Sequence, residues 1–226
     1  MWAIIAGIAA SIFGGSIFLA PYGGAGDGSG SLSIDGLTFP PSVKMAGVQQ
    51  LVTGGGTRTK YGVAKVYAVA LYIDSAGAKS ALSKFATGTP PTKDAKFYKA
   101  LVDGTFARTL HLKFHRSVSS EAMVGALDEA MSKRLPAETV AKFRAAFFKA
   151  LSSDSLAKGA DVYFMCKGST LSIGEGAPYA ASTLSAKGVC GALFDVYFGK
   201  APVSAPAKEG VAQGFAKRGF YLPTLA

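Results

Sequence analysis

The 226-residue sequence predicts an α+β fold in which helices pack on one face of an antiparallel sheet. Three observations lead there. Residues 108–116 alternate apolar and polar side chains, as a half-buried strand does. Met123, Leu127, Ala130 and Met131, and after them Val140, Phe143, Phe147 and Leu151, recur at helical spacing. Strand-like and helix-like stretches come in separate runs, which favours α+β over an alternating parallel architecture.

Each element follows from its local pattern. Residues 37–52 read as two short strands separated by Pro40-Pro41. Thr53 to Thr57, with three consecutive glycines, reads as a turn. Residues 61–73 read as a strand with Val63, Lys65, Tyr67, Val69 and Leu71 on one side and Ala64, Val66, Ala68, Ala70 and Tyr72 on the other. Both sides are mostly apolar, so this strand is expected to be covered on both faces. Short helices are expected over 76–86 and 95–102, then the strand 108–116, with Leu110, Leu112 and Phe114 inward and His111, Lys113 and His115 outward. Ser119-Ser120 supplies an N-cap for the next helix, and Pro136 opens the one after it. Residues 161–166 and 170–173 form a hairpin around Gly168. A long helix is expected over 181–198, stopped by Gly199, and Pro206 opens a last helix to about residue 218.

With 49% hydrophobic and only 17% charged residues, the chain is not an intrinsically disordered polymer. Residues 2–20 carry no charge and are the one stretch apolar and long enough to span a bilayer. They read as a targeting or anchor segment, and residues 21–36 as a Gly/Ser-rich linker. The folded domain is expected over 37–220, with 221–226 as a tail. All 24 basic residues and 12 of the 14 acidic ones fall in 36–226, giving that part a charge of +12. Such a surface favours anionic partners. The basic residues come singly or in pairs, so a nucleic-acid groove is disfavoured against a solvated basic surface.

The standard nucleophile, phosphate-loop and zinc motifs (GxSxG, Walker A, HExxH) are absent. Cys166 and Cys190 fall on apolar strand and helix faces and read as small core residues. With only two histidines, no metal site is expected, and none of the patterns calls for a cofactor. The informative region is 54–73. Arg58 follows the glycines, and Tyr67 sits among Ala64, Ala68 and Ala70, whose small side chains leave room. A guanidinium and a phenol aimed at one apolar slot would make a hook for a carboxylate, since the Arg fork donates two parallel hydrogen bonds. The alternative is that Arg58 pairs with a surface carboxylate and Tyr67 is simply core.

Three stretches in order, LTFPPSV (37–43), GGGTRTKYGVAKVYAVALYI (54–73) and GALFDVYFGKAPVS (191–204), with KGADVYF (158–164) between them, resemble the chalcone isomerase fold family. The resemblance spans about residues 37–220. It implies an open-faced β-sandwich, a large antiparallel sheet with a layer of helices on one face, and a ligand cleft between the two. The family holds enzymes that cyclise chalcones to flavanones and non-catalytic fatty-acid-binding members. In the enzymes the Arg of a G-x-G-x-R turn binds the substrate oxyanion, and it corresponds to Arg58. A strand Thr corresponds to Tyr67, a helical Tyr and Asn to Met123 and Ala130, and a late-helix Ser or Thr to Val196.

The resemblance is nearest to the fatty-acid-binding members, which keep the Arg and place a Tyr on the strand. The expected ligand-binding residues are therefore Arg58, Tyr67, Met123, Ala130 and Val196, with no catalytic residue. The expected partner is a fatty acid or other apolar carboxylate, held by a monomeric chain, with an anionic membrane surface as a second candidate partner. Plastid location follows by family analogy, and membrane association if residues 2–20 are retained. Two other readings stand beside this one: an intramolecular lyase making flavanones or acting on a related enone, and a scaffold on a membrane or nucleic acid.

Overall fold

The computed structural model describes residues 30–218. The apolar segment, most of the linker and the tail lie outside the described residues. Strands β1 (Leu32–Ile34) and β2 (Leu37–Phe39) form a small hairpin. Strands β3 (Ser42–Met45), β4 (Val48–Lys60) and β5 (Ala64–Ile73) follow, then helices α1 (Ser75–Leu82) and α2 (Ala95–Asp103) and strand β6 (Arg108–Phe114). A two-residue strand β7 (Val118–Ser119) leads into α3 (Ser120–Ser132) and α4 (Ala137–Ala150), and it pairs with β8 (Ser155–Leu156). The chain closes with β9 (Asp161–Lys167), β10 (Thr170–Glu175), β11 (Ser182–Ser185), α5 (Val189–Phe198) and α6 (Ala205–Arg218).

Seven strands make one antiparallel sheet in the order β11-β10-β9-β6-β5-β4-β3. One face packs on the helices. Tyr67, Val69 and Leu71 of β5 and Leu110, Leu112 and Phe114 of β6 join buried residues of all six helices in a single apolar cluster. The other face carries Ala68, Ala70, Tyr72, Tyr163 and Met165, covered by Leu32, Ile34 and Phe39 of the small hairpin. The α+β open-faced sandwich is thus present, and β5 is covered on both sides because its two rows of side chains are both apolar.

Four local expectations differ from the structure. The glycine run is the middle of β4, not a turn. Its bare backbone lets α6 lie directly on the strand: a Cβ on Gly54 would sit 2.3 Å from the Gly210 carbonyl oxygen, and one on Gly56 would sit 2.5 Å from the Pro206 carbonyl carbon. Ser204 fastens the start of α6, donating its hydroxyl to the Thr57 carbonyl at 2.9 Å and accepting the Ala207 N–H. The expected helix over 181–198 is a strand and a shorter helix. Ser182–Ser185 pairs with β10, and Gly188, at φ 80°, marks the break before α5.

The segment read as linker over 21–36 contributes β1, because Leu32 and Ile34 alternate with exposed serines and bury themselves against the sheet. Lastly, β6 is buried on both faces rather than one. His111 points away from the helices yet is enclosed by Phe39, Tyr72 and Tyr163, stacked on the Tyr163 ring at 4.2 Å.

Cys166 and Cys190 are buried, as their surroundings predict, but they are joined in a disulfide that ties β9 to α5. Their Cα atoms lie 5.7 Å apart, within bridging range. Spacing along the chain carries no such distance. No described helix is long and apolar enough to cross a membrane.

Candidate functional site

Antiparallel pairing places Arg58 of β4 directly opposite Tyr67 of β5. Directly opposed residues point to the same face of a sheet, here the face under the helices. The Arg58 guanidinium donates to the Tyr67 hydroxyl at 3.3 Å and lies 5.5 Å from the centre of its ring. The Tyr67 hydroxyl is in turn 2.9 Å from the hydroxyl of Tyr197, which descends from α5. Both tyrosines are wholly buried, whereas Arg58 is half-buried. The three side chains form a polar line running from the edge of the core into its apolar middle.

The chemistry of that line is set by its surroundings. Burial alone would lower the Arg58 pKa, but Tyr67 and then Tyr197 outweigh it and raise it, so the guanidinium is fully charged. Burial pushes the Tyr197 phenol well above its ordinary value, with Tyr67 adding to the shift. Tyr197 is therefore a neutral hydroxyl. Among the described residues no carboxylate forms an ion pair with Arg58, so the surface-pair alternative does not hold. A cation facing the interior with two phenols behind it can receive an anion, with hydrogen bonds available from Arg58 and from a phenol.

The other expected residues divide. Val196, wholly buried, neighbours Tyr197 in α5 and belongs to the same apolar cluster as Tyr67. Met123 of α3 is buried in that cluster too. Ala130, two turns further along α3, is only half-buried at the cluster's margin, and its carbonyl accepts a hydrogen bond from Arg134. Arg134 also pairs with Asp195 at 2.6 Å, fixing α3 against α5. The structure thus brings Arg58 and Tyr67 into contact, buries Val196 and Met123 in the same large apolar cluster as Tyr67, and leaves Ala130 at the margin of that cluster.

Tyr197 escapes the sequence reading. Its signal is a lone phenol in the apolar run VCGALFDVYF, one position beyond Val196. Arg108 was likewise passed over. It is 1% exposed, and its guanidinium serves the main-chain carbonyls of Val102, Gly104 and Phe106 at the end of α2 while lying 4.3 Å from the Phe194 ring. Burial lowers its pKa to about 10. With both terminal nitrogens committed to carbonyls, Arg108 closes a helix end and stands apart from the Arg58 line.

Among the described residues no group of three or more His, Cys, Asp or Glu is placed to hold a metal ion. Comparison with known proteins gives two findings. A family profile described as chalcone isomerase-like matches residues 31–211. The fold is similar to the crystal structure of a fatty-acid binding protein from Arabidopsis thaliana, with a TM-score of 0.69 and 19% identity, covering 84% of this chain and 99% of that one. A comparison of the sequence with curated proteins finds no match.

Proposed function

The chain belongs to the chalcone isomerase-like family, and from that premise we propose that it binds a fatty acid or similar apolar carboxylate between the sheet and the helices without transforming it. The observation that carries this reading is the Arg58–Tyr67–Tyr197 line, a charged donor and two phenols ending inside an apolar cluster. The carboxylate is received by Arg58 and Tyr67, and the acyl chain lies along the wall that includes Val196 and Met123. The Arabidopsis protein of similar fold is a fatty-acid binding protein, which supports the same ligand class.

The energetics are consistent with a carrier. Each buried methylene is worth ~0.8 kcal/mol, so a long acyl chain offers roughly ten kcal/mol before the costs of ordering and association are taken off. The Arg58 hook then sets orientation and disfavours uncharged lipids.

The lyase reading is weaker on physical grounds. Ring closure of a chalcone needs a held phenolate, an activated carbonyl and ordered water. Met123, Ala130 and Val196, at the positions where the resemblance puts hydrogen-bonding groups, have apolar side chains.

The test is extraction of lipid from purified protein together with laurate or palmitate titration. Copurifying fatty acid, and affinity lost on Arg58→Ala, is the expected result. No copurifying lipid and unchanged affinity in Arg58→Ala overturn the proposal. A chalcone consumed faster with protein than without would restore the lyase.

A further inference from the structure

Beyond the ligand site, the tip of the β4–β5 hairpin has a chemistry that the carrier reading does not use. Tyr61 is 86% exposed and Val63 84% exposed, and they flank Gly62 at the turn. Single exposed apolar residues are ordinary, but Tyr61 occupies a costly conformation. Tyr61 has φ 54°, in the left-handed region, followed by Gly62 at φ 76°. The β1–β2 turn fills the corresponding position with Asp35 at φ 49°, a residue that tolerates it. A bulky aromatic there is unfavourable for folding, and strain held at an exposed point directs attention to a function.

The surroundings of the tip are cationic. Lys60 lies 5.1 Å from the Tyr61 ring centre. Lys65 flanks the turn on the other strand, paired with Asp35 at 3.0 Å. The end of β6 comes alongside, since His115 N–H donates to the Val66 carbonyl, which brings exposed Arg116 close. Lys158 belongs to the same end: Gly159 N–H donates to the Phe114 carbonyl, and the charges of Asp35, Lys65 and Lys158 all act on His115. Four basic residues and one acidic one thus share the end of the sheet that carries the exposed Tyr and Val. Lys60 and Arg58 alternate onto the same face of β4, so the tip is about 10 Å of strand from the Arg58 line.

We propose that this hairpin tip docks the protein on an anionic lipid bilayer, with Tyr61 and Val63 entering the interface and Lys60, Lys65, Arg116 and Lys158 facing the headgroup phosphates. Tyr suits that depth because its ring is apolar and its hydroxyl wet. Basic residues beside an anionic surface add attraction that salt screens. Docking there sets the Arg58 end of the proposed carboxylate site toward the membrane that holds fatty acids. That last step rests on the carrier reading; the docking itself does not.

The test uses the full chain with Trp2→Phe and Val63→Trp, so that its only tryptophan reports on the tip. With vesicles of phosphatidylcholine containing one third phosphatidylglycerol, the emission shifts to the blue and is quenched by acyl-chain doxyl lipid. With phosphatidylcholine alone, or at high salt, both effects shrink. Lys60→Ala weakens vesicle binding roughly fivefold, the worth of one basic residue near such a surface. Tyr61→Asn raises the thermal midpoint, since Asn accepts the backbone angle, while weakening vesicle binding. Chain that sediments with vesicles while the tip tryptophan keeps its aqueous emission overturns the proposal, as does failure to bind vesicles at all. Laurate titration of the same variants without vesicles reads the carrier function separately: tip insertion without laurate binding removes the carrier reading and leaves the docking.

Discussion

The hydroxyl of Tyr197 lies 2.9 Å from that of Tyr67, although 130 residues separate them in sequence. Arg58 can only donate to the Tyr67 oxygen. A Tyr67 proton is therefore free for a carboxylate whenever Tyr197 donates in the same direction. On the carrier reading, Tyr197 donating in that direction acts as a positioning residue for the Tyr67 hydroxyl. Tyr197→Phe is expected to weaken laurate about five- to tenfold, the worth of about 1–1.4 kcal/mol for one hydrogen bond. Tyr67→Phe is expected to cost more, and Arg58→Ala most. Calorimetric titration of the three variants checks the order; equal affinity in Tyr197→Phe and the parent contradicts the ordering role.

The glycine contact between β4 and α6 predicts a sharp contrast. Gly54→Ala sets a methyl 2.3 Å from the Gly210 carbonyl oxygen, an overpacking expected to cost about 1–3 kcal/mol. Gly125→Ala, in α3 with nothing near its Cβ, is expected to stabilise by up to about 1 kcal/mol through helix propensity. Urea unfolding of the pair measures both; equal midpoints would refute the contact.

The Cys166–Cys190 bond closes a loop across 24 positions of sequence. Constraint of the unfolded chain by a loop of that size is worth about 3 kcal/mol. Reduction, or Cys190→Ser, is expected to lower the thermal midpoint, and treatment of the serine variant with reductant to change nothing further. A midpoint insensitive to reductant in the parent would show the bond absent in solution.

Acid should loosen the hairpin-covered face. Burial lowers the His111 pKa against the pull of Asp161, whose carboxylate oxygen is 2.6 Å from Nε2. Burial lowers that of half-exposed His115 too. In the unfolded chain histidine titrates near 6.5, so below that pH the unfolded state binds protons that the native state refuses. The stability is complete above about pH 6.5 and is lost as pH falls from there toward the lower native value, by up to about 1.4 kcal/mol per pH unit for His111. Urea midpoints between pH 7 and pH 5 should fall, and fall less steeply in His111→Asn. A parallel slope in the variant would acquit this histidine.

Much of the architecture was legible because it rests on periodicity. The helices at Met123 and Val140 and the strand at Leu110 repeat their apolar residues at the spacing their structures need. Gly54, Gly55 and Gly56 misled for a physical reason: glycine permits a turn and also permits close approach of two backbones, and only the partner helix decides which. Ser182–Ser185 became a strand through the ladder that β10 offers, which local sequence does not contain. Of the candidate residues, Arg58 stood out by its place after the glycines and Tyr67 by its small neighbours Ala64, Ala68 and Ala70. Tyr197 and the disulfide depend on where α5 lands on the sheet, a long-range fact.

The bare seam between α6 and β4 has a bearing on how cargo could enter. Side chains can swivel aside, but main chain pressed on main chain has no rotamers to exchange. That flank is a fixed wall, and α5 is bolted to β9 by sulfur. On the carrier reading, an acyl tail enters past neither of these two fixed helices.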